Sequence, residues 1–92
     1  EFAIDCKTED ALAATDRADE RGGFGASIGE LQRVAILRDA GRIEESESAM
    51  AQWILRWKIE DEKAAEAEES IGETVYRIRA EREKRTGRRT CN

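Results

Sequence analysis

Apolar residues recur at every seventh position through the second half of the chain, and this spacing restricts the fold more than any other feature. The series is unbroken and consists of Ile43, Met50, Trp57, Ala64, Ile71 and Ile78. In one continuous α-helix over 44–86, residues seven apart lie on one stripe and can face a neighbouring helix. Proline, which would break such a helix, does not occur in the sequence. We therefore predict an all-α fold with one long C-terminal helix.

The tetrapeptide SIGE occurs twice, at 27–30 and at 70–73, and its second copy competes with a single long helix. Serine followed three residues later by glutamate is a capping box, in which the two side chains satisfy backbone N–H groups at a helix start. The first copy predicts a helix over 28–40, ended by a left-handed Gly41. The second copy predicts either a new helix start or a kink inside 44–86. One long helix and two shorter helices both remain open.

The first part of the chain predicts one further helix, over 8–21. A glycine-rich stretch at 22–25 should separate this helix from the next one, with Phe24 covering the core. Residues 1–7 form an N-terminal segment. Its first two residues, 1–2, are what a common restriction site encodes, and we expect them to be a remnant of cloning.

Two cysteines, Cys6 and Cys91, lie near opposite ends of a chain of 92 residues, which is the size of one small domain. An antiparallel helical hairpin, or a bundle of three to four helices, brings its ends together, and this favours an intrachain disulfide that joins the termini. A disulfide-linked dimer and two free thiols are the alternatives. A bridge forms in oxidising compartments, so we expect a secreted or periplasmic protein.

The terminal cysteines, together with the closing Cys91-Asn92, resemble those of the secretoglobins, which are disulfide-linked helical dimers that enclose an apolar pocket. The resemblance covers only these residues and Cys6. The present sequence departs from that family in its high charge content and its lack of proline. The resemblance implies a dimeric carrier of a small apolar ligand, which we keep as an alternative function.

The segment MAQWILRWKI at 50–59 is the best candidate for a binding surface. Four of its residues share one helix face and are predicted to lie in the core: Met50, Trp53, Ile54 and Trp57. Leu55 and Ile59 point nearly opposite and lie beside Arg56. We predict that these three residues bind a partner, because two antiparallel helical arms cover only one side of a helix. The alternative is that both faces belong to the core.

Charge is segregated in the C-terminal part of the chain. Acidic residues dominate 60–73, and basic residues dominate 77–89. The basic patch consists of Arg77, Arg79, Arg82, Lys84, Arg85, Arg88 and Arg89. Solvated helix faces with intrahelical ion pairs explain most of this pattern. A net charge of −5 argues against a nucleic-acid partner.

The absence of histidine excludes the most common catalytic and metal-binding arrangements, including Ser–His nucleophiles and histidine-ligated haem. No phosphate-binding glycine motif follows a predicted strand, and the acidic run lacks the spacing of an EF-hand. No apolar run is long enough to span a membrane. We expect neither enzymatic activity nor a cofactor or metal.

A non-enzymatic protein-interaction module, toxin-like or effector-like, is the leading expectation for function. Its partner would be another protein or a second copy of the chain in a homodimer. The alternatives are the dimeric carrier and a self-assembling structural or regulatory helical module of a bacterial envelope.

Overall fold

The computed structural model describes residues 2–20 and 23–91, and within them the side chains of 2–17 and 27–91. These two ranges contain four helices and no strand, which confirms the all-α prediction. The helices are α1 (Thr8–Glu20), α2 (Gly23–Asp39), α3 (Ile43–Trp57) and α4 (Asp61–Thr86).

Helix α2 is the centre of the bundle, because it packs against each of the other three helices. The main core cluster is formed by α2, α3 and α4 and consists of Val34, Ala35, Met50, Trp53, Ala67, Ile71 and Val75. Helix α4 has 26 residues, which at 1.5 Å per residue gives about 39 Å. It therefore spans the longest dimension of the molecule, 40 Å.

Of the two open predictions for 44–86, the structure has two helices rather than one, and the chain breaks between them at 58–60 and not at the predicted Ser70. Lys58 adopts a left-handed conformation, with φ of 52°, and its backbone N–H donates to the carbonyl of Ile54. The N–H of Ile59 donates to the same carbonyl at 3.0 Å. Ile54 and Ile59 both pack against the core cluster, a contact that often accompanies this type of helix end. The break is therefore held by packing rather than by a glycine.

The repeated tetrapeptide begins neither of the helices that contain it. Helix α2 starts at Gly23 rather than at the predicted residue 28, so Ser27 lies inside the helix. Ser70 is the tenth residue of α4, and the helix runs through it. Both capping-box predictions are thus wrong. The predicted glycine break also fails at Gly23, while the Phe24 side chain lies outside the described part of the structure.

The first SIGE copy instead binds the two tryptophans of α3. The Ser27 hydroxyl accepts a hydrogen bond from Nε1 of Trp53 at 3.0 Å. The Glu30 carboxylate accepts one from Nε1 of Trp57 at 2.7 Å. Ser27 and Glu30 on α2 thus bind Trp53 and Trp57 on α3, and the two hydrogen bonds fix how these helices pack against each other. Ser70 and Glu73 of the second copy are exposed.

We therefore expect opposite effects when the two serines are replaced by alanine. Ser27→Ala leaves a buried indole N–H without its acceptor and should lower the free energy of unfolding by about 1–2 kcal/mol. Ser70→Ala replaces an exposed serine inside a helix by a better helix former, and should be neutral or stabilising by about 0.5 kcal/mol. Urea denaturation followed by circular dichroism measures both. A loss at Ser70 as large as that at Ser27 would contradict the assignment.

The turn between α2 and α3 places one arginine between two other helices. Gly41 is left-handed, with φ of 80°, which confirms the predicted helix stop. Arg42 next to it pairs with Glu45 of α3 at 2.6 Å and with Glu9 of α1 at 2.8 Å. The hydrogen bonds with Glu45 and, to a smaller extent, with Glu9 raise the pKa of Arg42. The hydrogen bonds from Arg42 in turn lower the pKa of Glu45 below its ordinary value. This surface ion-pair cluster thus joins the start of α1 and the start of α3 to the turn after α2.

Candidate functional site

The two ends of the chain meet beside the C-terminal half of α4 and are joined there by a covalent bond. Cys6 and Cys91 form an intrachain disulfide with a Cα–Cα distance of 5.6 Å. This confirms the predicted bridge and differs from the interchain linkage of a disulfide-linked dimer. The bridge holds residues 2–7 against α4.

A buried arginine completes the closure of the ends. Arg82 is fully buried, and its guanidinium pairs with the carboxylate of Asp39 at 2.6 and 3.0 Å. It also donates to the backbone carbonyls of Ala3, Ile4 and Arg89. All five N–H donors of a guanidinium are therefore used. One side chain thus binds the N-terminal segment, the end of α2 and the C-terminal tail.

The predicted basic patch is not a single surface. Arg82 is buried, and Arg79 beside it also pairs with Asp39, at 3.0 Å. Three further members form surface ion pairs: Lys84 with Glu81, Arg85 with Asp5, and Arg89 with Glu83. The sequence prediction was wrong here because a basic residue in a charged run is normally solvated, and the buried acid that binds Arg82 lies far away in the sequence. Arg77 and Arg88 are exposed.

The tryptophan segment does not have the two-sided character expected of it. Met50 and Trp53 lie in the core cluster, and Ile54 and Trp57 pack against it. Ile59 packs against the same cluster, because the left-handed turn at residue 58 directs the chain back to the core.

Leu55 is the large apolar residue of this segment that remains exposed, at 77% of its surface. The guanidinium of Arg56 pairs with Glu30 and lies 5.3 Å from the centre of the Trp57 ring. The predicted face of Leu55, Ile59 and Arg56 is therefore divided, because Ile59 packs against the core while Leu55 and Arg56 are exposed. Partner binding by these residues stays a prediction.

The structure shows a different candidate, a groove of about 990 Å³ between α1 and α4. We call this the α1–α4 groove. Both helices pack on α2 but not closely on each other, and the groove lies between them. Its apolar floor consists of Ala11, Ala14, Ala35, Ile36 and Ile78, of which Ala14 and Ile36 are partly exposed and the others buried. Three of these are alanines, which lack the bulk to fill the space between the helices. The N-terminal segment forms one end of the groove.

The charges along the α1–α4 groove are unevenly paired. Its two carboxylates, Asp5 and Glu81, are bound by Arg85 at 3.2 Å and by Lys84 at 3.4 Å. Lys7 and Arg77 also line the groove, and neither forms an ion pair with a side chain that the structure describes. The groove therefore combines an apolar floor with uncompensated positive charge, on a chain of net charge −5.

A second cleft, of about 680 Å³, lies between α1, α2 and α3 and includes Leu55. The charged groups that line it already bind one another. Arg33 pairs with Asp16 at 3.3 Å, and Arg56 pairs with Glu30. These pairs leave no uncompensated charge along this cleft to recognise a ligand, so the α1–α4 groove is the stronger candidate.

Over 2–20 and 23–91, no group of three or more acidic, cysteine or histidine side chains could hold a metal ion. None of the helices found in these ranges has the length and apolarity required to cross a membrane. The sequence matches no known family model, no curated protein and no solved structure.

Proposed function

We propose that this chain is a small, non-enzymatic protein-interaction module that binds an amphipathic helix of another protein in the α1–α4 groove. The observation that carries the proposal is the groove itself, which lies between two helices packed on α2, has an apolar floor and carries charge on its rim. Laying an amphipathic helix into an apolar groove is a recurrent mode of peptide recognition.

The packing of the bundle supports a helix as the occupant. Packed helices approach to about 8–10 Å between their axes, and small side chains permit the closer approaches. Ala14 of α1 provides such a small, partly exposed side chain in the groove. A helix placed there would pack on α2 as α3 and α4 already do, and would contact α1 and α4 on its two sides.

The disulfide supports a secreted or periplasmic location, because structural disulfides persist in oxidising compartments. A small stapled helical domain that acts outside the cytosol on another protein is the type of molecule found among toxins and effectors. The lack of histidine supports a role in binding rather than in catalysis.

Filling the groove tests the proposal. Ala14 lines the groove and is half-buried, while the adjacent Ala13 is exposed on the same helix and does not line it. We expect Ala14→Trp to weaken the binding of helical peptides, selected from a displayed library on the wild-type protein, by at least about tenfold, which is about 1.4 kcal/mol. Ala13→Trp should bind them as the wild type does. Calorimetry measures the affinities, and melting curves check that both variants are folded.

If the wild type and Ala14→Trp bound the helical peptides with the same affinity, the groove would not be the binding site. A carrier of a small apolar ligand is the second candidate, because the groove volume of about 990 Å³ lies near the upper end of small-ligand sites. Tight binding of a medium-chain fatty acid that Ala14→Trp abolishes, without any binding of helical peptides, would favour the carrier.

A further inference from the structure

We infer that the helix bound by the α1–α4 groove carries acidic side chains on both flanks of its apolar stripe, and that Lys7 and Arg77 bind them. The inference rests on the proposed function and specifies the chemistry of the partner. It follows from where the uncompensated charges lie relative to the apolar floor.

The two cations belong to the two borders of the groove. Lys7 ends the N-terminal segment immediately before α1, and Arg77 lies on α4. A helix lying on that floor would present one flank to each wall. An arginine can bind a carboxylate through two parallel hydrogen bonds, and a lysine can bind one as a point charge.

The acidic groups of the chain near Arg77 do not neutralise it. Glu81, one helical turn after Arg77, is bound by Lys84. Glu73, one turn before it, is exposed and does not line the groove. Asp5, near Lys7, is bound by Arg85. Lys7 and Arg77 are therefore the groove cations left to attract a carboxylate.

A second copy of this chain is a poor match for the occupant, because its described helices present no exposed apolar stripe. The exposed large apolar side chains of the described residues are scattered over the N-terminal segment and three helices: Phe2, Ile28, Ile43, Leu55 and Tyr76. The apolar residues of α4, such as Ile71 and Val75, are already buried in its own core. The described residues supply no helix with a free apolar stripe, so we assign the occupant to a different protein.

A nucleic acid fits the groove less well than an acidic helix. Its affinity depends on neutralising many phosphates, and the groove offers two uncompensated cations beside an apolar floor. An amphipathic helix with carboxylates on its flanks matches both the floor and the rim.

Three synthetic helical peptides test the inference. They share a length of about 18 residues, or about 27 Å, and the same leucine stripe, and they carry Glu, Gln or Lys on both flanks. We expect the wild-type protein to bind the Glu peptide most tightly and the Lys peptide at least about tenfold more weakly. Raising the salt concentration should reduce this difference, because exposed charge pairs are screened.

A double charge reversal assigns the effect to the two cations. We expect K7E/R77E to bind the Lys peptide more tightly than the Glu peptide, which reverses the wild-type order. The matched control is K58E/R88E, which reverses two exposed cations that do not line the groove and should keep the wild-type order. Fluorescence anisotropy of labelled peptides gives the affinities, and melting curves confirm that both variants fold.

Each other outcome overturns a defined part of the proposal. Equal affinities for the three peptides, all lost in Ala14→Trp, would leave the groove function in place and overturn the acidic partner. No binding of any peptide by the wild type at millimolar concentration would overturn both. A concentration-dependent doubling of mass that Ala14→Trp abolishes would show that a second copy occupies the groove. An unchanged peptide order in K7E/R77E would overturn the roles of the two cations.

Discussion

Replacing Arg82 by methionine should lower the free energy of unfolding by about 3–5 kcal/mol. The substitution removes a fully buried guanidinium and leaves the carboxylate of Asp39, a residue only 7% exposed, without its main partner. The backbone carbonyls of Ala3, Ile4 and Arg89 lose their donor as well. An unpaired buried charge is among the costliest defects a core can contain. Urea denaturation at neutral pH measures the loss.

Two further variants separate the buried pair from the general loss of a basic residue. Arg79→Met removes the other arginine that binds Asp39. The Arg79 side chain is 33% exposed, so this substitution should lower the free energy of unfolding less than Arg82→Met does. The double variant R82M/D39L removes both buried charges and should recover part of the stability, because apolar residues of similar volume often replace buried ion pairs well. If Arg82→Met lowered the free energy of unfolding no more than Arg79→Met, the buried pair of Arg82 and Asp39 would not stabilise the fold as we infer.

Reducing the disulfide should destabilise the protein by about 4–5 kcal/mol, because the bridge joins residues 85 apart and so restricts the unfolded chain strongly. This is a large share of the stability of a small domain, which is about 5–15 kcal/mol. We expect a markedly lower melting temperature with reductant and an unchanged molecular mass. Thermal unfolding and native mass measurement, each with and without reductant, provide the test.

The double variant Cys6→Ser/Cys91→Ser is the control for this experiment. It should melt near the temperature of the reduced protein, and reductant should not change it further. A melting temperature of the wild type that does not respond to reductant would contradict the prediction. A covalent dimer on a non-reducing gel would contradict the intrachain bridge itself.

The sequence was sufficient to predict the helical class and the joined termini. Helical spacing depends on residues that are near in the chain, and the meeting of the ends follows from how the helices of a bundle are connected. Apolar residues at positions such as Met50 and Ile71 repeat at helical spacing, and the lack of proline removes the strongest helix breaker. Gly41 ends a helix because it adopts positive φ without steric cost. Cys6 and Cys91 can pair in a bundle whose ends lie together.

The break at 58–60 and the fates of the two SIGE copies could not be derived in this way. Lys58 carries no signal for a left-handed conformation, which becomes stable only when Ile54 and Ile59 both reach the core. The first SIGE copy has the pattern of a cap, but its polar groups bind the tryptophans of another helix. Local propensity is a weak preference that such tertiary contacts override.

The candidate site shows the same division between local pattern and tertiary structure. The alanines of α1 and the cations Lys7 and Arg77 are visible in the sequence, but nothing in it brings them to one groove. Arg82 reads as one member of a basic surface run until the fold places it against Asp39, 43 residues away, and two terminal segments. Sequence periodicity by itself determined that the chain folds as helices with closed ends, because that information lies in the spacing of neighbours. Only the tertiary structure decided which charges are buried and which groove stays open, because burial depends on residues that are distant in the sequence.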